Sequence, residues 1–336
     1  MLYAFRLMTG IVLLVMCNAS ILHADEKPGP ATVLEIGHAI GPDSLYAQSV
    51  REFQRRLKAQ LGGLAEVLER GGSAIGNEGE LLKKVREGQP IFAIVSPVMT
   101  GVDDQFGVFD MPYLVLTREH LKRRRAKLLH DFLEPAAQAK GIRLLALWEN
   151  GFRQITNNVR PIETPKDLTG INLRVPTGRW QTVVFGAFGA HAIPLEWNKV
   201  RPAFQNKEVD GQENALAIVN NEKLYEVQKY LSMTSHTYLP AYFIVNESYF
   251  KSLPPKVQKA AAETAKDMED WVMDLGEKTD MELRAELSAK MRVNDADKLA
   301  FIIASFPIYS QFAKSVTHGK ELINLMYDKS SMNSQR

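Results

Sequence analysis

The sequence predicts an α/β protein, built as one large unit or two lobes, with helices covering the faces of its sheet. Three observations carry this expectation. Short apolar runs of strand length alternate with helical stripes from residue 33 onward. The runs at 91–95 and 144–148 are continuously apolar, as suits strands buried on both faces. One unbroken helical stripe after Pro254 is too long for a small lobe. The 336 residues, 45% hydrophobic and 24% charged, have ordinary globular composition.

The elements follow in order. Residues 33–36 alternate as a strand, and Gly37, His38 and Gly41-Pro42-Asp43 break it before a helix that starts near Ser44. Val50, Phe53, Leu57 and Leu61 then recur every three or four residues, which makes one buried stripe. Leu81, Leu82 and Val85 place a second helix before the strand at 91–95. After the strand at 144–148, Glu149-Asn150-Gly151 reads as a turn where the chain leaves its first half. Residues 171–175 alternate until Pro176, a helix runs through Val183, Val184, Ala187 and Phe188, and 243–246 is a strand that returns to the first half.

Prolines 254 and 255 suit a helix start. From Val257 through Ala261, Ala265, Met268, Val272, Leu275, Thr279, Leu283 and Leu287 to Met291 the spacing is three or four throughout. This predicts one helix of about 35 residues and about 50 Å, or a helix pair broken near Gly276. The tail 330–336 is expected to fray.

Forty-one Lys and Arg against 39 Asp and Glu leave a formal charge of +2, so no polyanionic partner is implied. The basic cluster Lys122, Arg123, Arg124 and Arg125 reads as a solvated helix face. Arg6, the apolar run 11–16 and Leu22-His23-Ala24 read as a signal peptide over 1–24 that is cleaved after Ala24, so the mature protein is expected to be soluble and outside the cytoplasm. The one cysteine, Cys17, lies in that leader. Its surroundings distantly resemble a lipoprotein cleavage box, but Met16 is bulky for that position and argues against lipid anchoring. A mature chain without sulfhydryls excludes disulfides, thiolate catalysis and cysteine-bound metal.

Catalytic constellations are absent: no His-Glu-x-x-His, no Gly-x-Ser-x-Gly, no phosphate-cradling glycine loop. His38, His191 and His236 are scattered and read as hydrogen-bonded structural residues. No cofactor and no metal are expected.

The stretch between Asn150 and Ser232 is more specific. It carries Asn150-Gly-Phe-Arg-Gln-Ile-Thr-Asn157, Pro161-Ile-Glu-Thr-Pro-Lys-Asp-Leu-Thr-Gly170, Leu173-Arg-Val-Pro176, Val209-Asp-Gly-Gln-Glu-Asn214 and Tyr225-Glu-Val-Gln-Lys-Tyr-Leu231. In order and spacing these resemble the substrate-binding proteins of tripartite ATP-independent periplasmic (TRAP) transporters, the DctP family. Val108-Phe-Asp-Met-Pro112 and the long helix extend the resemblance to the whole mature chain.

The resemblance implies a two-lobed, type II-like binding protein with crossing hinge strands and a lobe-spanning helix. Lobe I would comprise 25–150 plus about 240–278, and lobe II 151–239 plus about 279–329. It implies a monomeric, non-enzymatic receptor of the periplasm that binds a small organic acid between its lobes and hands it to integral-membrane TRAP subunits. A sensory receptor of the same fold is the alternative, with an exported enzyme using Glu78 as base behind it. The arginine of Leu-Arg-Val-Pro, here Arg174, holds the ligand carboxylate in the family. A guanidinium suits this because its planar fork pairs bidentately with a carboxylate and stays charged. Arg153 and Asn214 are implied as further ligand contacts, Trp197 as a cleft aromatic, and Glu78 and Ser96 as lobe I contacts. Lys199, Arg201 and Ala215 depart from the family pattern beside the cleft, the first two adding positive charge as Arg179 does.

Overall fold

The computed structural model describes residues 31–72 and 75–327. The expected signal peptide, Cys17 and the tail after 327 lie outside the described residues.

Strand β1 (Thr32–His38) leads into α1 (Leu45–Leu61), whose Ser44 side chain accepts the Ala47 N–H as an N-cap. Strand β2 (Ala65–Gly71), α2 (Glu78–Arg86) and β3 (Ile91–Val95) complete the first β-α-β passage. Asn77 and Glu80 form a reciprocal capping box at the start of α2, which fixes the position of Glu78. Helices α3 (Arg118–Leu128) and α4 (Glu134–Gln138) precede β4 (Ile142–Asn157).

Beyond it come β5 (Asn172–Val175), α5 (Arg179–Ala187), β6 (His191–Pro194), α6 (Val200–Gln205), β7 (Gly211–Ala215), α7 (Leu216–Asn221) and β8 (Tyr230–Met233). Strand β9 (Tyr238–Asn246) is followed by α8 (Glu247–Ser252), α9 (Pro255–Asp267), α10 (Glu269–Ser288), β10 (Arg292–Asp295), α11 (Lys298–Ser315) and α12 (Gly319–Tyr327).

The strands run β2-β1-β3-β9-β4-β7-β5-β6, and β8 joins β4 to β10. Strand β4 belongs to both halves of this sheet. Its residues 142–152 pair antiparallel with β9, and its residues 153–157 with β7. The turn expected at 149–151 is therefore not a turn. The chain runs straight through, with register shifts between Leu144 and Ala146 and between Glu149 and Gly151. Gly151, at φ 120°, takes a backbone conformation that side chains resist, which is why the segment looks like a turn in sequence.

The long helix crosses as well. It is interrupted at Met268 rather than at Gly276, and Met268 itself keeps a right-handed helical backbone. Val257, Ala261, Ala265, Met268 and Val272 pack in one hydrophobic core with α1 and the β1-β3-β9 strands. Leu283, Leu287 and Met291 pack in another with residues from α6, α7 and β8. Two cores reached by one helix, and one strand shared by two half-sheets, make the two-lobed α/β architecture. A third core unites Phe106 and Leu121 with Trp180 and Phe312, and α12 packs against α3. The lobe limits read from the sequence fall within β4, β9 and α10, and remain our proposal.

The basic cluster on α3 is not a free solvated face. Lys122 pairs with Asp274 at 2.5 Å, Arg125 with Glu269 at 2.8 Å and Asp270 at 2.9 Å, and the buried Arg124 donates to the Leu325 carbonyl at 2.9 Å. Beside it, Arg118 Nη2 reaches Glu149 of β4 and Asp280 of α10, both at 2.6 Å. Burial pushes the Glu149 carboxyl up to about 7, against the pull of Arg118 and of the Tyr238 hydroxyl that donates to it.

Gly276 lies on α10 directly over this carboxylate, and a Cβ there would meet Glu149 Cγ at 2.5 Å. Alanine normally favours a helix interior over glycine by about 1 kcal/mol. Gly276→Ala is nevertheless expected to destabilise the protein by about 1–3 kcal/mol through overpacking. Urea denaturation checks this, and a gain in stability would show that Glu149 moves aside freely.

Candidate functional site

A cavity of about 80 Å³ lies between the halves, walled by Tyr46, Asn77, Glu78 and Val98 on one side and by Arg174, Thr177, Trp197 and Asn214 on the other, with Asn150 and Arg153 of β4 between them. It adjoins a wider hollow of about 460 Å³ that shares Ala39, Asn77 and Trp197 with it. Five of the six residues expected from the sequence thus line one cavity. Ser96 does not. Its hydroxyl donates to the Pro240 carbonyl at 2.7 Å, and its backbone N–H donates to Glu78 at 3.1 Å, so it positions Glu78 from behind.

Arg153 and Arg174 are both buried but differently partnered. Arg153 sits on β4, where the antiparallel register brings β7 alongside. Its Nε and Nη2 both reach the Glu213 carboxylate, the latter at 2.7 Å, and Nη2 also donates to the Glu213 carbonyl at 2.7 Å. Nη1 donates to Asn214 Oδ1 at 2.9 Å. Burial alone would push the Glu213 carboxyl up, but Arg153 and His236 outweigh it and hold it at about 2. The charge of Arg153 is answered inside the protein.

Arg174 lacks such an answer. Strand β5 places it 4% exposed, and its Nε and Nη2 both donate to one neutral acceptor, the Leu195 carbonyl, at 2.9 and 2.7 Å. Among the described residues no carboxylate pairs with it and Nη1 has no acceptor. Burial lowers its pKa to about 9, with Glu213 and Glu78 pulling it up and Arg153 pushing it down, so it remains a cation at neutral pH. The guanidinium lies over the Trp197 ring, 5.5 Å from the centroid. Trp197 is half-buried and packs against the cores of both halves. It bridges the cleft and narrows it at once.

Glu78 faces these cations from the first residue of α2. Burial pushes its carboxyl up to about 7, opposed by the Ser96 N–H, Arg153 and Arg174. Tyr46 and Asn150 complete the wall, with Asn150 Nδ2 donating to the Tyr46 hydroxyl at 3.0 Å. Neither was singled out as a ligand contact from the sequence. Asn150 opens the motif that yielded Arg153, so the signal was present. Tyr46 gave none, since it reads as one more apolar member of the α1 stripe.

The extra cations expected beside the cleft do not reach the cavity. Lys199 is exposed and pairs with Glu196 at 3.3 Å, and Arg179 pairs with Asp104 at 2.9 Å. Arg201 lines only the outer hollow, donating to the Glu222 carbonyl at 2.8 Å. Ala215 is buried and its N–H donates to Asn214 Oδ1 at 3.1 Å, a bond a proline would forfeit.

His236 bridges Thr234 at 2.8 Å and Glu213 at 3.2 Å, His38 contacts Glu69 at 3.2 Å, and His191 contacts Asn172 at 2.8 Å. Among the described residues no group of three His, Cys, Asp or Glu is placed to hold a metal, and no helix is long and apolar enough to cross a membrane.

The family described as bacterial extracellular solute-binding protein, family 7 (DctP) matches residues 36–315. The chain is 27% identical to the 2,3-diketo-L-gulonate-binding periplasmic protein of Escherichia coli, covering 87% of this chain and 90% of that one. It is 30% identical to a C4-dicarboxylate-binding periplasmic protein of Rhodobacter capsulatus, covering 69% and 71%. A TRAP periplasmic solute-binding protein from Bordetella, solved with density assigned to pantoate, superposes with a TM-score of 0.81 at 30% identity, covering 89% of this chain and 99% of that one.

Breaking the Arg153–Glu213 pair strands a buried cation. Glu213→Gln is expected to cost about 3–5 kcal/mol of stability. The Glu213 carboxyl is held at about 2, below its ordinary 4.5, so its contribution is complete above about 4.5 and fades as the pH falls toward 2. Acid titration of unfolding should show part of that fall missing in Glu213→Gln; an unchanged acid limb would refute the assignment.

Proposed function

We propose that this chain, which belongs to family 7 of the bacterial extracellular solute-binding proteins, the DctP family of TRAP-transporter receptors, captures a small organic carboxylate between its lobes on Arg174. The observation that carries the reading is the buried guanidinium without a counter-ion. Burying a charge is costly unless it is paired. The family and its solved neighbours are binding proteins, and two of the relatives above are named for the acids they bind, a diketogulonate and a C4-dicarboxylate, while the third was solved with density assigned to pantoate. A carboxylate supplies the charge and the bidentate acceptor that Arg174 lacks.

The remaining roles follow from position. Asn214 Oδ1 is taken by Arg153 and Ala215, which leaves its Nδ2 as a donor for the ligand. Trp197 covers the bound acid and lowers the local dielectric. Because the cavity walls come from α2 on one lobe and from β5 and Trp197 on the other, a bound acid favours the closed arrangement of the lobes. We assign the closed form to recognition by integral-membrane TRAP subunits, and the mature protein, a monomer released by cleavage of residues 1–24, to the periplasm. Neither a cofactor nor catalysis enters this reading.

Two tests follow. Arg174→Met is expected to abolish binding of the acids bound by the wild type while leaving the melting temperature of the free protein equal or higher, since it removes an unpaired buried charge. Calorimetry and thermal melting check both halves; retained binding would sink the anchor assignment. Glu78 supplies the second. Its carboxyl titrates at about 7 in the free protein, and an anion bound beside it raises that value. Affinity should therefore be full below about pH 7 and weaken above it, and Glu78→Gln should flatten the profile. An identical profile in that variant would exclude Glu78 from the ligand's surroundings.

A further inference from the structure

Residues 178–181, at the start of α5, meet the segment 100–110 along a seam, and on the lobe limits proposed above its two sides belong to different lobes. A Cβ on Gly178 would meet Thr100 Oγ1 at 3.2 Å. Arg179 Nη1 donates to Asp104 Oδ2 at 2.9 Å. Trp180 lies so close to Gly107 that a Cβ there would overlap its Cδ1 and stand 2.9 Å from its Nε1. Gln181 Nε2 donates to the buried Asp110 carboxylate at 2.8 Å. Asp104–Asp110 is a 3-10 helix, whose three-residue turn puts Asp104, Gly107 and Asp110 on one face. Phe312 of α11 backs the Trp180 ring, 5.0 Å between centroids, so lobe II carries the ring and offers its edge to lobe I.

The seam continues the cavity walls. Val98 on one wall stands two residues before Thr100, and Thr177 on the other directly precedes Gly178. These links span only about 7 and 4 Å of chain, so parting Val98 from Thr177 to admit an acid carries the near end of the seam apart as well. We propose that residues 178–181 form a latch that seats on 100–110 only in the closed receptor, so that Arg179, Asp104, Gly107 and Gln181 set the affinity for the ligand without touching it; this rests on the lobe limits and the carboxylate reading above. Apparent affinity falls in proportion to the population of the binding-competent form, so whatever loosens the latch weakens binding. A joint seated in both forms would instead stabilise the free protein and leave affinity alone. Gly107 suits a latch: its φ is not positive, so the backbone does not demand glycine there, and the approach of Trp180 does.

The test uses the purified mature chain with pantoate, succinate, gluconate and pyruvate as probes, by calorimetry and thermal melting. Gly107→Ala drives a wedge into the seam and removes no interaction. It is expected to weaken every acid that binds the wild type by at least about tenfold, through faster dissociation, with the melting temperature of the ligand-free protein within about 2 °C of wild type. Arg179→Asp and Asp104→Arg should each weaken binding about threefold, and the two together should restore it, a rescue at exposed positions. Unchanged affinity in Gly107→Ala overturns the latch, as does a charge exchange that rescues nothing. Should Gly107→Ala melt lower or fail to fold, the charge exchange decides. Failure of all four acids to bind the wild type, or binding that survives Arg174→Met, overturns the carboxylate reading on which the latch rests.

Discussion

Strand β4, the start of β9 and helix α10, three of the elements that join one lobe to the other, meet at the side chain of Glu149. The carboxylate is 1% exposed and sits where β4 changes sheets, and it meets Arg118 from α3, the Tyr238 hydroxyl from the start of β9, and α10 through Gly276. Arg118 in turn reaches Asp280 one helical turn beyond Gly276. A buried carboxylate without such partners would be lost to protonation. Here the helix can lie close enough to supply Asp280 only because residue 276 has no side chain. The close approach lets one helix serve two cores.

That knot has a consequence for the site. Asn150 follows Glu149 directly and Arg153 lies four residues on, so the strand that carries the hinge also lines the cavity. Arg153 and Arg174 then divide the work of cations. Arg153 is locked to Glu213 and Asn214, and so holds β4 to β7 and orients the asparagine amide. Arg174, one strand further on, donates to a single neutral carbonyl and carries a charge that no carboxylate among the described residues pairs with. A lysine in either place would offer a point charge and lose the fork that makes each arrangement specific.

The sequence carried the repeating parts of this fold well. The stripes of α1 and of the long helix, and the strands near 33–36, 91–95 and 171–175, were legible because apolar period alone decides them. The passage through 149–151 was not, because a glycine at positive φ looks the same in a turn as in a bulged strand. The resemblance singled out Arg174, Arg153, Asn214, Trp197 and Glu78, which line one cavity, while Ser96 lies behind it and donates its N–H to Glu78 and its hydroxyl to the Pro240 carbonyl. Lys199, Arg201 and Arg179 misled because a sequence shows charges without their partners. Each is neutralised by a neighbouring acid or carbonyl outside the inner cavity.

The same reasoning explains why a receptor should keep groups whose partners are missing. A site satisfied by its own side chains has nothing to gain from a ligand, and a site open to water offers bonds that water already makes. The cavity here is neither: the buried Arg174 guanidinium pairs with no carboxylate among the described residues, and it lies over the ring of a tryptophan that touches the two cores. The cost of that unpaired charge is offset by a fold held elsewhere through the buried Glu149 and Glu213 pairs. A carboxylate that supplies the missing partner would relieve that cost in a closed arrangement, where the walls meet, and not in an open one, where water reaches the guanidinium. Differential relief of this kind is what a two-state receptor needs if binding is to change its shape.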